Sequence, residues 1–61
     1  MLEIDRFIRL AEVENLIGLK RSQIYEMVKA GSFPAPIRIG GASRWSLRLV
    51  AAWMEKLAAA A

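Results

Sequence analysis

The sequence predicts a mainly α domain of three helices and one short two-stranded β-hairpin, and three observations predict it. Gly18 and Gly31 punctuate two stretches with helical apolar spacing, Ile37-Arg38-Ile39 alternates and runs into Gly40-Gly41, and residues 47–59 carry a third helical pattern. The chain begins with a short extended segment, Phe7, Ile8 and Leu10 about Arg9. Residues 11–17, AEVENLI, follow with Val13, Leu16 and Ile17 on one face, and Glu12 and Glu14 lie early enough to complement the helix dipole. Gly18 ends this first helix as a left-handed cap. A second helix runs from about Lys20 to Ala30, its inward stripe Ile24, Met27 and Val28, its opposite face Ser22, Glu26 and Lys29. Each proline of Phe33-Pro34-Ala35-Pro36 disfavours helix at the residue before it, so this segment is a rigid extended connector.

Ile37-Arg38-Ile39 and Ser43-Arg44-Trp45 pair around Gly40-Gly41, an arrangement expected to put Arg38 and Arg44 on a shared face. Ser46 stands at an N-cap position before the third helix, about Leu47 to Ala59, which turns Leu49, Val50, Trp53, Met54 and Leu57 inward. Trp45 and Trp53 are read as core filling rather than as stacking platforms for bases. The alanines at 58–61 favour helix but have nothing to pack against, so that tail is expected to fray.

All 61 residues form one domain, with a core that an apolar fraction of 56% can fill. The chain has no Cys and no His, which excludes a disulfide framework and zinc in its usual ligation. No apolar run reaches a membrane-spanning length, and MLEIDRFIRL lacks the long apolar stretch of a signal peptide, so a cytoplasmic location is expected. The charge of +3 is unevenly spread. Residues 1–15 set Glu3, Asp5, Glu12 and Glu14 against Arg6 and Arg9, net −2; residues 16–48 set Lys20, Arg21, Lys29, Arg38, Arg44 and Arg48 against Glu26 alone, net +5. A basic middle segment of this kind suits a polyanionic partner.

Two helices about a glycine turn, the second with polar groups outward, form a helix-turn-helix pattern. Val13, Ile17, Leu19, Ile24 and Met27 fill the five positions that such a pair needs apolar, while Glu14 stands where many pairs have a small residue. The first turn of a helix in the major groove reaches base edges, with Arg suited to guanine, Gln to adenine and Ser to either. Arg21, Ser22 and Gln23 supply that set; Lys20 and Lys29 are placed for phosphates, and Tyr25 for a phosphate or a thymine methyl. Glu26 either accepts a hydrogen bond from cytosine N4 or pairs with a nearby Arg or Lys, the pairing being the preferred reading. The hairpin then serves as a wing: Gly40, Gly41, Ala42 and Ser43 let backbone approach a phosphate, and Arg38 and Arg44 bring charge. Together these features describe a small winged helix-turn-helix domain that binds double-stranded DNA.

The series Ile8-Arg9-Leu10, Glu12-Val13, Gly18-Leu19, Arg21-Ser22-x-Ile24-Tyr25, Gly31-x-Phe33-Pro34-x-Pro36, Ile39-Gly40-Gly41, Arg44-Trp45 and Val50-x-x-Trp53 resembles the AlpA family of phage-derived regulators, related in fold to excisionases and to the DNA-binding part of MerR proteins. The resemblance spans about Arg6 to Leu57 and implies a winged-helix regulator of prophage or mobile-element genes. Lys20 departs from it, standing where that family usually has a Ser or Thr cap; the change costs the helix about 1 kcal/mol and adds a phosphate-seeking charge.

Other functions leave weaker traces. An excisionase-like role in DNA bending would use the same winged core. A protein-interaction module, such as an antirepressor, finds support in the small residues Ala51, Ala52 and 58–61, and copies could also associate on DNA. Catalysis is not expected: the acids Glu3, Asp5, Glu12, Glu14, Glu26 and Glu55 show no spacing that gathers two at a pocket. Neither a cofactor nor a small-molecule ligand is indicated.

Overall fold

The computed structural model describes residues 4–61; Met1, Leu2 and Glu3, the last counted above among the N-terminal acids, lie outside them. The elements run β1 (Phe7–Ile8), α1 (Leu10–Ile17), α2 (Arg21–Ala30), β2 (Ile37–Ile39), β3 (Ala42–Ser46) and α3 (Leu47–Ala60). This is a winged helix-turn-helix with a three-stranded antiparallel sheet, ordered β1-β3-β2. The expected hairpin is present, with Ile37 opposite Arg44, Arg38 opposite Ser43 and Ile39 opposite Ala42. Gly40 and Gly41 both take positive φ, 55° and 84°, as the tight primed turns between short strands require.

The extended entry segment is present as β1, and its pairing into the sheet as a third strand was not expected. β3 is longer than β2, and its free edge at Trp45 and Ser46 pairs with Ile8 and Phe7. The Leu47 amide extends that pairing by donating to the Arg6 carbonyl at 2.8 Å. Leu10, read as part of the extended segment, instead opens α1.

Among the described residues six apolar side chains are buried: Ile8, Val13, Ile24, Phe33, Trp45 and Val50. Every element contributes one except β2, whose three residues are all exposed, while the connector contributes Phe33. β2 therefore projects from the core as a wing. Leu10, Ile17, Leu19, Met27, Val28, Leu47, Trp53 and Met54 pack around the six.

Three leucines placed inward by helical spacing are not in the core: Leu16, Leu49 and Leu57 are 44%, 52% and 57% exposed. An eight-residue helix offers little more than one turn to so small a core, and Val13 takes that place in α1. The fourteen residues of α3 extend about 21 Å. Its last turns overhang the core, carrying Leu57 outward, and the helix is continuous through Ala60.

Both indoles tie down the segment between α2 and the wing. Trp45 Nε1 donates to the Pro34 carbonyl at 3.0 Å, and Trp53 Nε1 donates to the Ser32 carbonyl at 2.7 Å. Between them Phe33 is buried, its ring edge-on to Trp53 with centroids 4.9 Å apart.

Asp5 fastens the N-terminal segment to the start of α3. Ser46 caps α3, its hydroxyl oxygen accepting from the Leu49 amide at 3.2 Å and its O–H donating to Asp5 Oδ2. Asp5 Oδ1 accepts from the amides of Arg6 and Arg48 at 2.7 and 3.1 Å. The Ser46 hydrogen bond is the main cause holding the Asp5 carboxyl below its ordinary 3.8; partial desolvation opposes it, and the two amides reinforce it. A lowered folded-state pKa adds stability that is complete above the ordinary value and disappears as pH falls through the lowered one. Asp5→Asn should therefore flatten the acid side of the stability profile: thermal melts at descending pH should show wild type losing Tm more steeply than the variant below about pH 4. Parallel profiles for the two proteins would refute that linkage.

Candidate nucleic-acid interface

α2 displays the candidate reading residues because Ile24 anchors its opposite side. Lys20, Arg21, Ser22, Gln23, Glu26 and Lys29 are exposed, and the Tyr25 ring is half-exposed. Tyr25 leans on Trp45, with centroids 6.0 Å apart and planes tilted by 59°, so the core holds its position. The side chains of Lys20, Arg21, Ser22, Glu26 and Lys29 make no hydrogen bond or ion pair to other described residues.

The start of α2 is built differently from a Ser- or Thr-capped helix. Lys20 occupies the cap position, and its ammonium has no lone pair with which to accept from an amide. Two other side chains do the capping. Gln23 Oε1 accepts from the Lys20 amide at 3.2 Å, the returning half of a capping box. Glu14 Oε2, reaching over from α1, accepts from the Arg21 amide at 3.0 Å. The Glu14 carboxylate also lies where the helix dipole favours negative charge.

This explains why an acid stands at position 14 and changes the role of Gln23. Its carbonyl oxygen is turned back to the backbone, leaving the amide nitrogen as its free donor. Sequence spacing did not reveal Glu14, which lies seven residues before Arg21 across a glycine turn. The weak signal available was a helix start without Ser, Thr, Asp or Asn.

On the hairpin, the observed register corrects the shared face proposed for Arg38 and Arg44. Directly opposed residues of antiparallel strands point to one face, and neighbours along a strand alternate. Arg38 opposite Ser43 thus shares a face with Trp45 and Ile8, while Arg44 opposite Ile37 lies on the reverse face. Because Trp45 meets Tyr25 of α2, the Arg38–Ser43 face is the one turned toward the α2 side. Arg38 Nη1 lies 3.5 Å from Ser43 Oγ, and Gly41 is exposed at the tip. Arg44 Nη1 instead donates to the Ser43 carbonyl at 2.8 Å and is partly buried. The structure brings together Arg38, Gly41 and Ser43 and separates Arg44 from them.

Among the described residues no acidic, His or Cys cluster could hold a metal ion, and no helix is long and apolar enough to cross a membrane. What remains is a glycine-turned helix pair whose second helix carries unengaged basic and polar groups, flanked by an exposed wing. That is the surface of a winged helix-turn-helix domain. Residues 6–58 match the family described as the prophage CP4-57 regulatory protein (AlpA), and the chain belongs to that family. It is 45% identical over 51 residues to the uncharacterized protein ORF88 of Enterobacteria phage P4, an alignment covering 82% of this chain. The same alignment spans 58% of the phage protein's length. No solved structure matches the chain significantly.

Proposed function

We propose that this chain is a sequence-specific double-stranded DNA-binding regulator of phage or mobile-element genes, with α2 in the major groove and the β2–β3 hairpin as its wing. The observation that carries this reading is the outer face of α2, where Arg21, Ser22 and Lys29 are exposed with no side-chain partner among the described residues. A basic, hydrogen-bonding helix face with no partner in its own fold is suited to base edges and phosphates. Arg21 and Ser22, in the first turn, read bases, with the Gln23 amide nitrogen as a further donor. Lys20 and Lys29 contact phosphates, Tyr25 reaches a phosphate or a thymine methyl, and Arg38, Gly41 and Ser43 meet the backbone beside the groove. Glu14 already occupies the amino end of α2, so phosphate attraction there comes from the Lys20 side chain rather than from free helix amides.

The test is fluorescence anisotropy against a randomised duplex pool, titrated with salt, followed by sequencing of the bound fraction. Affinity should fall steeply with salt, and one motif should be enriched. Absence of binding at low salt, where even non-specific contacts are strong, would end the proposal.

Exposed apolar side chains favour a second reading, association between copies on DNA. Phe7 and Ile37 lie on the reverse face of the sheet beside Leu49, and Leu16 lies with Leu57 along a depression between α1 and α3. Sedimentation of the protein on tandem copies of an enriched site separates cooperative from independent loading.

A further inference from the structure

Glu26 is the one acidic residue between positions 15 and 54, and it stands near the middle of the basic face. Its carboxylate is exposed and has no ion-pair partner among the described residues, although Lys29 lies one turn away on the same face. The pairing preferred from the sequence is therefore absent. A free carboxylate at this position gives the fold no hydrogen bond and repels DNA phosphates wherever it approaches them.

The base edges offer it a different environment. Ser22 and Glu26 are four residues apart and so lie one above the other on α2, displaced by about 6 Å along the axis. Base pairs are spaced by about 3.4 Å, so a helix whose first turn places Ser22 on one base edge brings Glu26 over a pair about two steps away. In the major groove cytosine offers its N4 amino group with no acceptor of its own beside it, whereas adenine presents N7 next to its N6 donor. An acceptor-only carboxylate is attracted by the first pattern and partly repelled by the second.

We infer that Glu26 is a specificity-determining residue whose carboxylate accepts a hydrogen bond from the N4 amino group of one cytosine in the operator. The inference rests on the proposed placement of α2 in the major groove. It also assigns the acid a second effect, because a carboxylate that meets only phosphates weakens binding to sequences lacking that cytosine.

The experiment compares wild type with Glu26→Gln and Glu26→Ala in the same randomised-duplex selection, with thermal melts as a control for folding. Wild type should enrich cytosine in one column of its motif. Glu26→Gln, which carries the donor and acceptor pair suited to adenine, should convert that column to adenine, a gain that unfolding cannot produce. Glu26→Ala should lower the discrimination for cytosine by about tenfold and bind random duplex more tightly than wild type does. An enriched motif that is identical in all three proteins overturns the inference and leaves the DNA-binding proposal standing. Failure of wild type to bind duplex at low salt overturns both.

Discussion

Trp45→Ala should lower the unfolding temperature steeply and leave the chain only marginally stable at 25 °C. Trp45 is fully buried, pairs with Ile8 across the sheet, supports the Tyr25 ring and donates its indole N–H to Pro34. Removing a buried aromatic of this size costs about 3–5 kcal/mol. A domain of 61 residues has a total stability of only about 3–9 kcal/mol, so one substitution consumes most of it. Circular dichroism during heating and in urea tests this. Trp45→Phe keeps an aromatic ring and loses the indole donor, so it should still melt cooperatively at a lower temperature. A wild-type-like melt for Trp45→Ala would show that β3 does not organise the core.

Arg21→Ala should give a large binding defect with little effect on folding. Glu14 caps α2 through the Arg21 backbone amide, so the substitution leaves that hydrogen bond in place and removes only the exposed guanidinium. Loss of a bidentate guanine contact costs about 1–3 kcal/mol, roughly 5- to 150-fold in affinity for the selected site. Preference at one base pair should relax at the same time. Lys29→Ala should behave differently, weakening all sequences about evenly and reducing the salt slope by about one. Anisotropy titrations on selected and random duplexes at several salt concentrations distinguish the two patterns. Wild-type affinity in both variants would remove α2 from the interface.

Local chemistry explains which parts of this fold could be read from sequence. Gly18 and Gly31 close α1 and α2, Ser46 caps α3, and Gly40-Gly41 turns the hairpin, each acting on its immediate neighbours. The features that local chemistry does not announce depend on contacts distant in sequence or on register. Pairing of Phe7 and Ile8 with Ser46 and Trp45 joins opposite ends of the chain, and a two-residue strand carries almost no alternation to announce it. The separation of Arg38 from Arg44 hinges on a single step of hairpin register, which reverses every side chain's face. Helical spacing likewise gives the direction of Leu16, Leu49 and Leu57 but not how far a six-residue core extends beneath them. In the candidate site, exposure of the α2 face followed from the Ile24 stripe, whereas the capping roles of Gln23 and Glu14 required three-dimensional geometry.

The two indole hydrogen bonds to Ser32 and Pro34 bear on the thermodynamics of recognition. A linker free to swing would let α2 and the hairpin find a groove and a backbone separately, and each encounter would lose orientational entropy. Here the connector is held at Ser32 and Pro34, on either side of the buried Phe33, so that freedom is lost on folding rather than on binding. On the proposed reading, the two elements would meet a duplex as one preorganised body. The same rigidity would then discriminate against duplexes whose groove width does not match the fixed spacing, so that part of the selectivity would come from DNA shape without any contact to a base.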